Sequence, residues 1–167
     1  MMANYRAIAT ACQAVVDLLD RQYRKDDFKG EPLHFRVIGS SDLVDPPTGG
    51  VTLLLYRVSQ DITSRNPPRK GRPSLPLYIH FILTAWGKDA GQQQRILGWA
   101  METLTDTPAI DAATLNAVKG VVFDEGEVLE YQLEDLSDEA MLRLWKGVSP
   151  HGYQISVGYS ARLRIGA

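Results

Sequence analysis

The sequence predicts an α+β fold: a single mixed or mostly antiparallel β-sheet flanked by two main helices. Three observations point there. Runs that alternate apolar and polar residues lie toward both ends of the chain. Apolar stripes at three- and four-residue steps lie before and between them, and no strand–helix–strand unit repeats. A chain of 167 residues can bury about two-thirds of its unfolded surface. Residues 1–167 therefore read as one domain that folds without disulfides.

Ile8, Ala11, Cys12, Val15, Leu18, Leu19 and Tyr23 share one helical stripe and predict a first helix from about Tyr5 to Lys25. LHFRVIG (33–39) reads as a strand, and the following Ser41–Gly50 is dense in turn formers. VTLLLYRV (51–58) is nearly continuous in apolar residues, as in a central strand covered on both faces. A basic, proline-rich loop at 62–74 comes next. It carries Arg65, Arg69, Lys70 and Arg72, and no acid stands between Ile62 and Gly87.

Leu75, Leu77, Ile79, Phe81, Leu83 and Ala85 then alternate with a second set ending in Trp86, a long strand whose prolines fall at its start. Asp89, answered by Gln92, caps a helix with Ile96, Leu97, Ala100, Met101 and Leu104 on its buried face, ending near Thr107–Pro108. A shorter helix starts at Asp111. Gly126–Leu136 reads as a strand, and Ser137 caps a helix whose first turn holds Asp138 and Glu139. From Tyr153 to Gly166 the alternation is strict, which predicts a half-buried antiparallel strand closing the chain at an edge of the sheet.

The net charge of −2 argues against a surface that binds nucleic acid as a whole. The single cysteine, Cys12, cannot form an internal bridge and is expected to be a small buried residue. The N-terminus lacks the continuous apolar core of a signal peptide. The longest uncharged run, Pro73–Gly87, is too short for a membrane span. These features describe a soluble protein made in the cytoplasm, with no membrane partner.

No GxSxG, GxGxxG, P-loop or HExxH pattern occurs, and His34, His80 and His151 lie in separate segments. The expectation is a non-enzyme with no catalytic residues, no cofactor and no metal. His80 interrupts an apolar strand, so its imidazole needs a partner, expected from backbone or a Ser/Thr hydroxyl. Trp86, Trp99 and Trp145 are expected to anchor the core.

Charge is segregated along the chain. Eight acids stand between Asp124 and Glu139, including Glu127, Glu130, Glu134 and Asp135, and no Lys or Arg lies between Gly120 and Leu142. Two independently solvated faces would read this way. So would a head-to-tail interface between copies, in which the basic loop meets a neighbour's acidic segment. The final strand adds Arg162 and Arg164 to the candidate contact residues.

Taken together, ANYRAIATACQAVVDLL, GVTLLLYRV, SRNPPR with RPSLPLYIHFILTAW, ILGWAMETLTDTPAI, LSDEAMLRLW and YQISVGYSARLRI resemble the tail-terminator, or cap, family of phage-tail-like contractile injection systems. That family includes the Photorhabdus virulence cassette and antifeeding-prophage types. The resemblance implies a tail-terminator-like fold and a structural role: a hexameric ring capping the inner tube and contractile sheath, ending their growth and joining them. It implies a homo-oligomer partnered by sheath and tube proteins, in a particle that can be released from the cell. It supplies no catalytic residue. The alternatives are a small nucleic-acid-binding module using residues 65–72, whose four cations have no aromatic among them, and a hydrolase with a dispersed site around His80.

Overall fold

In the computed structural model, residues 3–63, 74–120 and 122–166 are described. Arg65, Arg69, Lys70, Arg72 and nearly all of the predicted 62–74 loop lie outside them. Along the chain the elements are α1 (Ala7–Gln22), β1 (His34–Ile38), β2 (Gly50–Gln60), β3 (Ser74–Trp86), α2 (Ala90–Asp106), β4 (Ala109–Asp111), α3 (Ala112–Lys119), β5 (Val128–Glu134), α4 (Asp138–Val148) and β6 (Ser156–Gly166). The strands form one sheet in the order β1-β2-β3-β6-β5-β4. β1 runs parallel to β2 and every other neighbour is antiparallel, so the sheet is mixed.

Three helices start where the sequence places them, each behind a capping side chain, and α1 starts at Ala7 without one. Asp89 Oδ1 accepts from the Gln92 amide at 2.8 Å, Asp111 Oδ1 from Thr114 at 2.8 Å, and Ser137 Oγ from Ala140 at 3.2 Å. The sheet is flanked by four α-helices among the described residues rather than two main ones. α1 and α2 are the long pair, and α3 and α4 are shorter. β4 has only three residues, too few to leave a periodic signal.

β6 is not an edge strand. It lies between β3 and β5, and the edges are β1 and β4. Its polar set, Ser156, Ser160, Arg162 and Arg164, faces a side of the sheet that helices cover only in part, so a central strand carries the alternation of an edge strand. β2 shows the same division. Gly50–Leu54 are buried on both faces as predicted, whereas Arg57, Val58 and Gln60 emerge into solvent.

The period of two sorts the strands onto two cores. On one face Leu53, Ile79, Phe81, Leu83, Tyr159 and Leu163 pack with Ala11, Cys12, Val15 and Leu19 of α1, Ile96 and Ala100 of α2 and Leu115 of α3. Trp99 closes this layer within an aromatic group of Tyr23, Phe28 and Phe35, its ring centroid 5.6–6.3 Å from theirs. On the other face Ile38, Leu54, Ile82 and Trp86 pack under Trp145 of α4. Trp145 is 1% exposed, a burial worth on the order of 5 kcal/mol as an upper bound.

Where β1 meets β2, Gly50 adopts φ +131° and a Cβ there would stand 1.9 Å from the His34 carbonyl oxygen, so only glycine fits. Among the described residues no helix is long and apolar enough to cross a membrane.

Candidate interaction surface

Antiparallel pairing lines up side chains of one face in rows across the sheet. On the α4 face one row is Ser59, Tyr78, Arg162 and Glu130, and the next is Arg57, His80, Ser160 and Gln132. The third row, Ile82, Gly158 and Glu134, is where the α4 cover begins. Arg57, Glu130, Gln132 and Arg162 are exposed. Half of this face therefore belongs to the α4 core and half meets solvent.

The row of Ser59, Tyr78, Arg162 and Glu130 is organised by Asp61. Its carboxylate is 2% exposed and accepts from the Thr63 amide at 3.0 Å and the Thr63 hydroxyl at 2.7 Å, an Asx-type turn. Arg162 Nε donates to its other oxygen at 2.7 Å, and Arg162 Nη2 donates to Thr63 Oγ1 at 3.2 Å. The guanidinium lies 5.5 Å from the centre of the Tyr78 ring. Burial pushes the Asp61 carboxyl up, but the Thr63 donors and Arg162 outweigh it and hold the carboxyl below its ordinary value. The same contact with Asp61 raises the Arg162 guanidinium.

The second row centres on His80, which is 9% exposed. Its Nδ1 lies 2.9 and 3.0 Å from the two Glu134 oxygens, and its Nε2 lies 2.8 Å from Ser59 Oγ. A carboxylate only accepts, so Nδ1 carries the hydrogen in this tautomer. Tyr56 also donates its hydroxyl to Glu134, at 3.1 Å. Burial, followed by the adjacent Glu134 charge, pushes the Tyr56 phenol upward.

Ser59 is the kind of hydroxyl partner the sequence leads one to expect for His80; Glu134 is additional. The Glu134 side chain passes from β5 to His80 on β3 beside Gly158, its register partner on β6. A Cβ there would come within 2.9 Å of Leu136 Cδ1 and 3.0 Å of the Glu134 carbonyl oxygen.

At the end of the sheet where β2 leaves and β3 enters, a groove of about 170 Å³ is lined by Asp61, Pro76, Glu127, Glu130, Arg162 and Arg164, among others. Glu127 Oε2 accepts from the Asp124 amide at 2.6 Å, and burial raises the Glu127 carboxyl. Exposed apolar side chains also occur toward this end, on both faces of the sheet: Val58 on β2, Ile62 after it, Leu75 on β3 and Val128 on β5. Exposed hydrophobic side chains beside a charged groove are the composition of a protein contact surface.

Of the sequence-predicted contact residues, the fold brings Glu127, Glu130, Arg162 and Arg164 together around this groove. Glu134 is instead drawn into the His80 network, and Asp135 is exposed between β5 and α4. The start of the acidic run and the described root of the basic segment thus share one end of the sheet. Asp61, Thr63, Tyr78 and Ser59 were not singled out by sequence. The Asp61-x-Thr63 spacing of an Asx turn was the available signal for the first two, and nothing linear marks the others.

Residues 10–165 match the family described as the Pvc16 N-terminal domain. This chain belongs to that family. No curated protein matches the sequence. The Pvc16 N-terminal domain fold also has counterparts among solved structures. One is the PVC sheath/tube terminator of an extracellular contractile injection system in its extended state, with a TM-score of 0.64 and 12% identity, covering 100% of this chain and 58% of that one. Another is the tube-terminating cap of the anti-feeding prophage, with a TM-score of 0.63 and 11% identity, covering 93% of this chain and 53% of that one. This chain spans just over half the length of either.

Proposed function

We propose that this domain is a structural cap of a phage-tail-like contractile injection system, forming a ring that ends and joins the inner tube and the contractile sheath. The observation that carries the reading is the fold. One mixed sheet with four helices matches two terminator structures over 93–100% of this chain. A terminator has to match a polymer end on one face, and the grooved end of the sheet has the composition for such a contact. Arg164, Glu127 and Glu130 frame it, and Arg65, Arg69, Lys70 and Arg72 belong to the connection that leaves and re-enters the sheet there. Asp135 is assigned to a contact with a neighbouring copy. The ring is a homohexamer, assembled in the cytoplasm into a particle that acts outside the cell.

The nucleic-acid reading is less favoured, because Arg162 is engaged by Asp61 and the described cations of this end alternate with Glu127 and Glu130. The test is to add the purified protein to tube and sheath subunits during assembly and to measure particle length by negative-stain microscopy. Capping is expected to shorten and narrow the length distribution, and mass photometry is expected to find a ring of six. Reversing Arg69 and Lys70 to Glu is expected to weaken both effects. Unchanged lengths with the native protein would remove the reading.

A further inference from the structure

The His80 network has an order that the capping role does not use. A hydroxyl, Ser59 Oγ, lies 2.8 Å from His80 Nε2, and His80 Nδ1 lies 2.9 Å from a Glu134 carboxylate that Tyr56 also holds. A nucleophile within hydrogen-bond reach of a base, with the base oriented by a third group, is the arrangement that activates serine. Nδ1–H points at the carboxylate, which leaves Nε2 free to accept the Ser59 proton. The three groups come from β2, β3 and β5, and Glu134 reaches His80 across β6 beside Gly158, its register partner. Ser59 stands on the half of the face beyond the α4 core, on the same strand as the exposed Arg57, which is paired in register with His80.

We propose that Ser59 is a primed nucleophile that takes an acyl group from an activated ester. Ser59 Oγ bonds to the acyl carbon as its proton passes to His80 Nε2. The ester C–O bond then breaks, and His80 returns that proton to the departing alcohol, leaving acyl-Ser59 and free alcohol. Glu134 and Tyr56 are positioning residues, since they act only through His80. Ser59 lies within the β2–β3 ladder, not on a turn that would present backbone amides to an oxyanion. The lack of those donors slows acylation and deacylation alike, so stoichiometric acylation by an activated ester is expected rather than turnover.

The experiment incubates the full chain with p-nitrophenyl acetate and, separately, with an alkyl fluorophosphonate, and follows labelling by intact mass and peptide mapping. One label per chain at Ser59 is expected, absent in Ser59→Ala. Labelling is expected to be about 100-fold slower in His80→Gln. Glu134→Gln should slow it and Glu134→Asp restore part of the rate, a pattern that a purely structural carboxylate would not produce at equal folded fraction. Ser59→Ala removes only one partly buried hydroxyl, and its circular dichroism and melting curve serve as the folded reference. Native protein labelled no faster than Ser59→Ala, or labelled elsewhere, would overturn the proposal.

Discussion

The two halves of the α4 face are built from the same strands and solve opposite problems. Toward Trp86 the strands present Ile38, Leu54 and Ile82, and α4 covers them with Trp145. Toward Ser74 the same strands present Tyr78, His80, Ser160 and Arg162, and polar contacts take the place of a helix. The first half is held by area removed from water, which is indifferent to direction. The second is held by hydrogen bonds that specify partners, and it keeps its outer groups available to another molecule.

Removing one component at a time sharpens this contrast. Trp145→Ala, which empties the closed half, is expected to cost about 3–5 kcal/mol. Urea unfolding would measure it, and a loss under 1 kcal/mol would mean that α4 is not a structural cover. Gly158→Ala, at the boundary, forces a Cβ against Leu136 and the Glu134 carbonyl and is expected to cost about 1–3 kcal/mol. It should also detach Glu134 from His80, so the Ser59 labelling rate reads the same change independently.

In the open half, Arg162→Ala leaves the buried Asp61 carboxylate with the Thr63 donors alone. Because Arg162 is itself half exposed and screened, the expected loss is about 1–2 kcal/mol. The pH dependence has a definite sign. The Asp61 carboxyl is depressed in the folded state, so its stabilisation is present above the ordinary carboxylate value near pH 4 and is lost as pH falls through the lower folded value. Asp61→Asn should flatten that acid limb of the urea midpoint, and an unchanged limb would assign it to other carboxylates. The smallest effect belongs to the helix-covered face. The Tyr159 hydroxyl is buried with no hydrogen-bond partner among the described residues, so Tyr159→Phe should be neutral or stabilising by up to about 1 kcal/mol in the same measurement.

The comparison also separates what linear patterns reveal from what they leave out. The caps at Asp89, Asp111 and Ser137, the burial of Cys12 and the spans of the long strands are local. They follow from side-chain oxygens reaching the first helical turn and from periods of 3.6 and 2. β6 shows where local reasoning stops. Its alternation reports that one of its faces is polar, and the sheet order places it centrally between β3 and β5.

The candidate surface divides in the same way. Glu127, Glu130, Arg162 and Arg164 stand out in the sequence as charges, yet their meeting depends on the β3–β6 and β6–β5 registers. A one-residue slip would send each β6 side chain to the opposite face. Ser59, His80 and Glu134 lie 21 and 54 residues apart in their contacting pairs, so no spacing rule could join them.

The sequence by itself determined the class of the fold, its helices with their caps, most of its strands and the segregation of its charge, because each is carried by neighbours within a few residues. Only the tertiary structure decided the sheet order, the half-covered face and the company that Asp61 and His80 keep, because those depend on which strands pair and on where Gly158 leaves room.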